Sequence, residues 1–346
     1  MACDGAAGNV VEDMRIDSKA SGLGDAWMRF IALATLSKLR HTERHVIYPP
    51  AILVPLAREV FSDYFDVASE GESDIEMHYL GLRHILPRLL KGKNCYSPFY
   101  WILRSARRRV TLKDRLNDAA FLIASSVLPL SIPEQRHVYQ YQGFMEMQGL
   151  YPFRSVEFAE FAAAISDVLP CVKQKLQSLF PPATSRYRDL VFPSGSAHQI
   201  MPPEFAMVHF PEAQFAFYER DPDAEQFRRI GLSVVNFGRP PEDVVRLIAG
   251  ARRTFSTDSF SSHLAQTWRD DCYVLLTEQK AEMVVLPGFP ETQIVRSAAP
   301  CHPCRHKVRL NQSSVCDAGL YYCCTWNLPD YIERVNKVNS IEQKEI

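Results

Sequence analysis

The sequence predicts an α/β protein built from two Rossmann-like domains that face a cleft. Three observations predict it. Short β-branched or aromatic runs alternate with longer stretches at helical spacing near both ends of the chain, the pattern of βαβ units and parallel sheets. The 346 residues exceed one typical core and suit two domains of ordinary size. Hydrophobic residues make up 47% and charged residues 23%, the balance of a soluble globular chain.

In order, residues 1–13 are small and polar and read as a flexible arm. Met14-Arg15-Ile16-Asp17 reads as a short strand and Gly22-Leu23-Gly24-Asp25 as the turn after it. Trp27, Phe30, Ile31, Leu33, Leu36 and Leu39 then recur at helical spacing. His45-Val46-Ile47-Tyr48 is a second strand, stopped by Pro49-Pro50, and 51–61 a second helix with proline near its start. Helical patterns are expected to dominate 72–180, notably 119–127 and 158–179. The linker-like Pro181-Pro182-Ala183-Thr184-Ser185 separates an expected N-terminal domain, 14–180, from a C-terminal one, 186–297. In the latter, strands are expected at 190–192, 215–218, 232–237, 255–258 and 272–277, with helices at 223–230 and 241–249. Residues 298–346 form a cysteine-rich extension and tail.

A formal net charge of -1 excludes a general affinity for polyanions. The start has no basic region followed by an apolar stretch, and no run of about 18 apolar residues occurs, so a cytoplasmic chain without a membrane span is expected. Five of the nine cysteines fall between Cys301 and Cys324, which reads as metal binding in a reducing compartment rather than a disulfide frame. Cys95, Cys171 and Cys272 read as buried small residues.

Four segments fall at expected strand ends, where ligands of such sheets sit. They are Gly22-Leu23-Gly24-Asp25, Ser194-Gly195-Ser196, Gly238 to Glu242, and Thr257-Asp258-Ser259 followed by His263. Small hydroxyl residues at a strand-to-helix turn let phosphate approach backbone N–H groups, and a carboxylate beside them can hydrogen-bond sugar hydroxyls. The plainer reading is a set of turns and helix caps, with His263 a buried, hydrogen-bonded histidine.

In their order and spacing these segments resemble glycosyltransferase family 9, the heptosyltransferase-like enzymes of GT-B fold. The likeness spans roughly residues 15–290 apart from about 65–180. It implies inverting transfer of a sugar from a nucleotide-sugar donor, typically ADP-heptose, to a hydroxyl of a glycan, glycolipid or protein. Under it Asp25 is the general base and Gly22 and Gly24 form its loop. Ser194, Gly195 and Ser196 line the donor phosphates. Thr257, Asp258, Ser259 and His263 hold the donor's sugar and diphosphate, and Glu242, with Asp243 competing, meets the ribose. No catalytic metal is expected. Where the family often carries a cation after the Ser-Gly turn, this chain reads Ala197-His198-Gln199-Ile200. A protonated His198, Arg186, Arg188 and Arg239 are the candidates to replace it.

Cys301 and Cys304 make a C-x2-C pair that Cys316 and Cys323 (or Cys324) complete as a tetrahedral structural site for zinc or iron, with His302 or His306 as alternative ligands. A branch of the family that modifies bacterial autotransporter proteins is similar in carrying a C-terminal cysteine-ligated iron motif. Between Arg83 and Arg115 stand ten Lys or Arg residues and one acid, interleaved with aromatics. That segment reads as a solvated helix face, an acceptor-binding surface or, as the remaining alternative, a nucleic-acid site. The rival from another class is a GT-B-fold binding or scaffold protein without activity.

Overall fold

The computed structural model describes residues 14–19, 22–40, 45–77, 95–96, 140–148, 150, 153–182, 186–195, 200–277, 279–299, 302 and 325–326. They form two parallel sheets. The first contains β1 (Arg15–Asp17), β2 (Val46–Tyr48), β3 (Asp66–Val67), β4 (Ile75–Met77) and β5 (Cys95–Tyr96), in the order β3-β2-β1-β4-β5. Ile16 of the central strand is fully buried. Two further elements of this half are α1 (Leu23–Arg40), after β1, and α2 (Val54–Phe61).

β4 and β5 fall where helices are expected. Strands of three and two residues are too short to show the period-2 alternation that identifies a strand from sequence. Asp74, just before β4, receives the Arg15 N–H at 2.9 Å and fixes the entry of that strand beside β1. The expected helix at 119–127 lies outside the described residues.

α1 is buried on nearly all sides, with Trp27, Phe30, Ile31, Leu33 and Leu36 in the core and Ala26, Ala32 and Ala34 letting neighbours approach. Its neighbours include α2, α3 (Gln142–Gln148) and α4 (Phe158–Leu179). α4 buries Phe161, Ile165, Val168, Val172 and Leu176, a stripe at spacings of three and four residues, and ends before Pro181-Pro182. Cys171 lies one residue off that stripe and is exposed, not buried as expected; Cys272 is buried.

α3 and α1 meet unusually closely. A Cβ on Gly143 would stand 2.3 Å from the Met28 carbonyl oxygen, so only glycine lets these backbones touch. Gly143→Ala is expected to push α3 off α1 and lower stability by about 1–3 kcal/mol. Urea unfolding would check it, and an unchanged midpoint would count against the close packing.

The second sheet contains β6 (Tyr187–Phe192), β7 (Gln214–Tyr218), β8 (Ser233–Phe237), β9 (Ala251–Thr257), β10 (Cys272–Leu275) and β11 (Ile294–Val295). Its order is β11-β10-β9-β6-β7-β8, again all parallel. The helices here are α5 (Pro203–His209), α6 (Asp223–Arg229), α7 (Pro241–Ala249), α8 (Phe260–Trp268) and α9 (Ala281–Val284). Asp189 and Arg253 are register partners on β6 and β9, and Arg253 Nη2 donates to Asp189 Oδ2 at 2.7 Å, which compensates a charge on a central strand.

Both sheets have the doubly wound arrangement, in which the connection reverses direction beside the first strand. In the first sheet the reversal lies between β1 and β4, and in the second between β6 and β9. Crevices therefore open after Asp17 and after Phe192 and Thr257, which are the expected motif positions.

Candidate functional site

The two crevices meet. A Cβ on Gly24 would stand 2.9 Å from His263 Cδ2 and 3.3 Å from the Phe260 backbone nitrogen, so the first turns of α1 and α8 are in contact. Behind them, Trp27 Nε1 donates to Thr267 Oγ1 at 3.1 Å, and the Trp27 and Phe260 rings pack edge to face.

Asp25 lies within the first turn of α1, with Gly22 rather than Asp25 at the helix start; Ala26 N donates to Gly22 O at 3.0 Å. Gly22 leaves room for the carboxylate, since a Cβ there would meet Asp25 Oδ2 at 2.9 Å. Oδ1 accepts from Gln142 Nε2 at 3.3 Å. Burial, then the nearby Glu146 carboxylate, pushes the Asp25 pKa up to about 6, with Asp258 adding and Arg29 and His263 opposing. A carboxylate so placed is ionised near neutrality yet basic enough to accept a proton.

Across the contact, β9 leads through Asp258 into α8. His263 Nε2 lies 3.5 Å from Asp258 Oδ1, and both side chains are mostly buried. The serines make a local network: Ser256 Oγ is 2.7 Å from Ser261 Oγ, and Ser259 Oγ is 2.8 Å from Ser261 Oγ and 3.0 Å from the Thr257 carbonyl. The N–H groups of Ser262 and His263 turn back to Ser259 O at 3.1 and 3.3 Å. Those of Phe260 and Ser261 are then the ones a helix start offers to an anion. The Thr257 hydroxyl is buried without a partner among the described residues.

Ser194 ends the extension of β6 in an antiparallel bridge to Ile200, and Met201 N donates to Pro193 O at 2.8 Å, pinning the base of a loop that includes Gly195. Ser196 and His198 lie outside the described residues. Glu242 and Asp243 separate cleanly. Asp243 receives the Gly238 N–H at 3.1 Å and Arg246 at 2.9 Å, so it shapes the turn. Glu242 has no hydrogen bond or ion pair among the described residues.

Of the replacement cations, Arg186 and Arg188 flank the beginning of β6, the far end of the strand from Ser194. Arg239 follows β8 on the ligand edge, is exposed and donates to Tyr218 Oη at 3.1 Å. Arg186 and Arg188 are thus ruled out by strand direction.

Arg29, Gln142 and Glu146 gather behind Asp25, and sequence reasoning did not place them there. Arg29 was detectable as a charge within an apolar helix four residues after Asp25. Nothing local brings Gln142 and Glu146 to Asp25, more than a hundred residues earlier.

Cys301, Cys304, Cys316, Cys323 and Cys324 lie outside the described residues, as do His306 and, apart from 95–96, the basic segment 83–115. His302 Nε2 is 3.1 Å from the Gln279 carbonyl oxygen. Among the described residues no three His, Cys, Asp or Glu side chains gather to hold a metal ion, and no helix is long and apolar enough to cross a membrane.

The fold and site define an α/β protein whose two doubly wound parallel sheets bring their ligand edges together. No protein-family model and no curated protein matches the sequence. Among solved structures the chain is similar to E. coli heptosyltransferase WaaC with ADP-2-deoxy-2-fluoro heptose, at 12% identity over 79% of this chain and 96% of that one, TM-score 0.43. It is similar to E. coli ADP-heptose LPS heptosyltransferase II at 15% identity over 82% and 90%, TM-score 0.47. A glycosyl transferase family 9 protein from Veillonella parvula is 12% identical over 83% and 88%, TM-score 0.45. These neighbours are heptosyltransferases and a family 9 protein, the family its motifs resemble.

Proposed function

We propose that this chain is an inverting glycosyltransferase of GT-B-like architecture. Residues 14–180 take the acceptor and 186–297 the nucleotide-sugar donor, for which the resemblance favours ADP-heptose. The observation that carries the reading is the meeting of Asp25 with the start of α8 at one cleft. A base and an anion-binding helix start then flank the position of the sugar.

In the proposed reaction Asp25 takes the proton of the acceptor hydroxyl as its oxygen attacks the anomeric carbon. The bond from that carbon to the diphosphate oxygen breaks on the opposite face, so configuration inverts. The departing negative charge meets the Phe260 and Ser261 N–H groups at the start of α8. Asp258, with His263 beside it, is placed to hold sugar hydroxyls, Ser194 and Gly195 line the phosphates with Ser196, and Glu242 meets the ribose. The acceptor is a hydroxyl of a glycan, glycolipid or protein.

The test is transfer with a panel of nucleotide sugars, reading the anomeric configuration of the product by NMR and using Asp25→Asn as control. Retained configuration would exclude this chemistry. Absence of turnover with every donor, with partner binding intact, would favour the scaffold reading, which the lack of Lys or Arg across residues 193–202 supports.

We also propose a structural zinc or iron held by Cys301, Cys304, Cys316 and Cys323 (or Cys324), in a cytoplasmic protein. Elemental analysis of the chain purified without added metal is expected to give about one zinc or iron per chain. Less than roughly a tenth of that, with stability unchanged by a chelator, rejects the site.

A further inference from the structure

Asp25 is backed by a polar cluster that the proposed reaction leaves unused. Asp25 and Arg29 are one helical turn apart on α1, and Gln142 and Glu146 one turn apart on α3, so each pair shares a face. Gly143 lets those faces meet. Gln142 Nε2 donates to Asp25 Oδ1 at 3.3 Å and to Glu146 Oε1 at 2.7 Å. The second Glu146 oxygen, Oε2, is paired with Arg29 Nε, and the two side chains are 2% and 0% exposed. A buried ion pair seldom stabilises a fold more than apolar residues of the same shape, so packing alone does not account for one here.

We propose that Gln142, Glu146 and Arg29 are positioning residues for Asp25, holding its carboxylate in one orientation at the cleft through Gln142 and keeping a second, paired carboxylate behind it. The inference rests on the reading of Asp25 as the general base. Glu146 from α3 and Asp258 from the β9–α8 turn disfavour the Asp25 anion, while Arg29 from α1 and His263 from α8 favour it. The Gln142 N–H also favours the anion, because it donates to that form. Removing Glu146 or Gln142 therefore moves the Asp25 titration in opposite directions, which loss of packing would not do.

The experiment is carboxyl-carbon NMR titration of the purified, unliganded full chain, with the Asp25 signal assigned from Asp25→Asn. Glu146→Gln is expected to lower the Asp25 midpoint and Gln142→Met to raise it, each by roughly half a pH unit or more. Glu146→Gln strands the buried Arg29 charge and risks the fold. In that event Gln142→Met, at a partly exposed position, decides alone. An unmoved midpoint in Gln142→Met, or shifts of the same sign in both variants, overturns the proposal. The titration uses no sugar donor, so the two failures register separately. Unaltered transfer in Asp25→Asn would remove the base, whereas unmoved midpoints would remove the network.

Discussion

Asp25→Asn is expected to lower kcat/KM for sugar transfer roughly a hundred- to ten-thousand-fold, the range that a positioned general base contributes. Asparagine keeps the shape and can still accept from Gln142, so the loss would report proton transfer rather than collapse of the site. The wild-type rate should fall as pH drops through about 6, where burial and Glu146 place the protonation of Asp25. Stability carries the opposite sign. The Asp25 pKa is raised, so its contribution to stability is fully present below the ordinary carboxylate value and is lost as pH rises through about 6. Asp25→Asn should therefore be more stable than the wild type at neutral pH and above, by roughly 3 kcal/mol, with the advantage gone below about pH 4. A variant that is both inactive and less stable at neutral pH would contradict this account.

Trp27→Ala is expected to cost about 3–5 kcal/mol, the range for truncating a buried aromatic. The indole is 1% exposed and packs edge to face on Phe30, Phe61 and Phe260. Its N–H meets Thr267. Phe30 and Phe61 belong to the first half of the chain, Phe260 and Thr267 to the second, so one truncation opens a void facing both. Against a typical total of 5–15 kcal/mol this is a large share. Urea unfolding would show it as a lowered midpoint. Trp27→Phe, which retains a ring, should lose distinctly less, and equal losses in the two variants would contradict the packing argument.

Much of the second sheet was legible because most of its strands carry a short apolar run, such as Leu190-Val191-Phe192 or Phe215-Ala216-Phe217, and several helices between them begin at or just after proline or serine. α1 and α4 were legible from their spacing. β4 and β5 were not, since the pairing of β4 with β1 and of β5 with β4 is decided by tertiary neighbours rather than by their own residues. The motif positions after β1, β6 and β9 could be read from strand ends, while the hydrogen bonds that tie Asp243 into its turn leave no mark in the sequence. Arg186 and Arg188 looked suitable by charge, and only strand direction shows that they lie at the wrong end. Gln142 and Glu146 illustrate the limit of sequence reasoning, because their approach to Asp25 depends on a helix contact with no local signature.

The reach of α4 has a consequence for how the molecule comes apart. Its apolar stripe packs on α1 and α2 beside the first sheet and on α8 beside the second, and one buried cluster runs from Ile16 and Trp27 to Leu190, Phe192 and Trp268. The chain thus has two sheets by topology but a shared interior between them, beside two smaller clusters that belong to the second half alone. Cutting near residue 183 and separating the fragments would bare that interior on both, so each should aggregate rather than fold alone. The nicked but unseparated protein should still melt in a single cooperative transition.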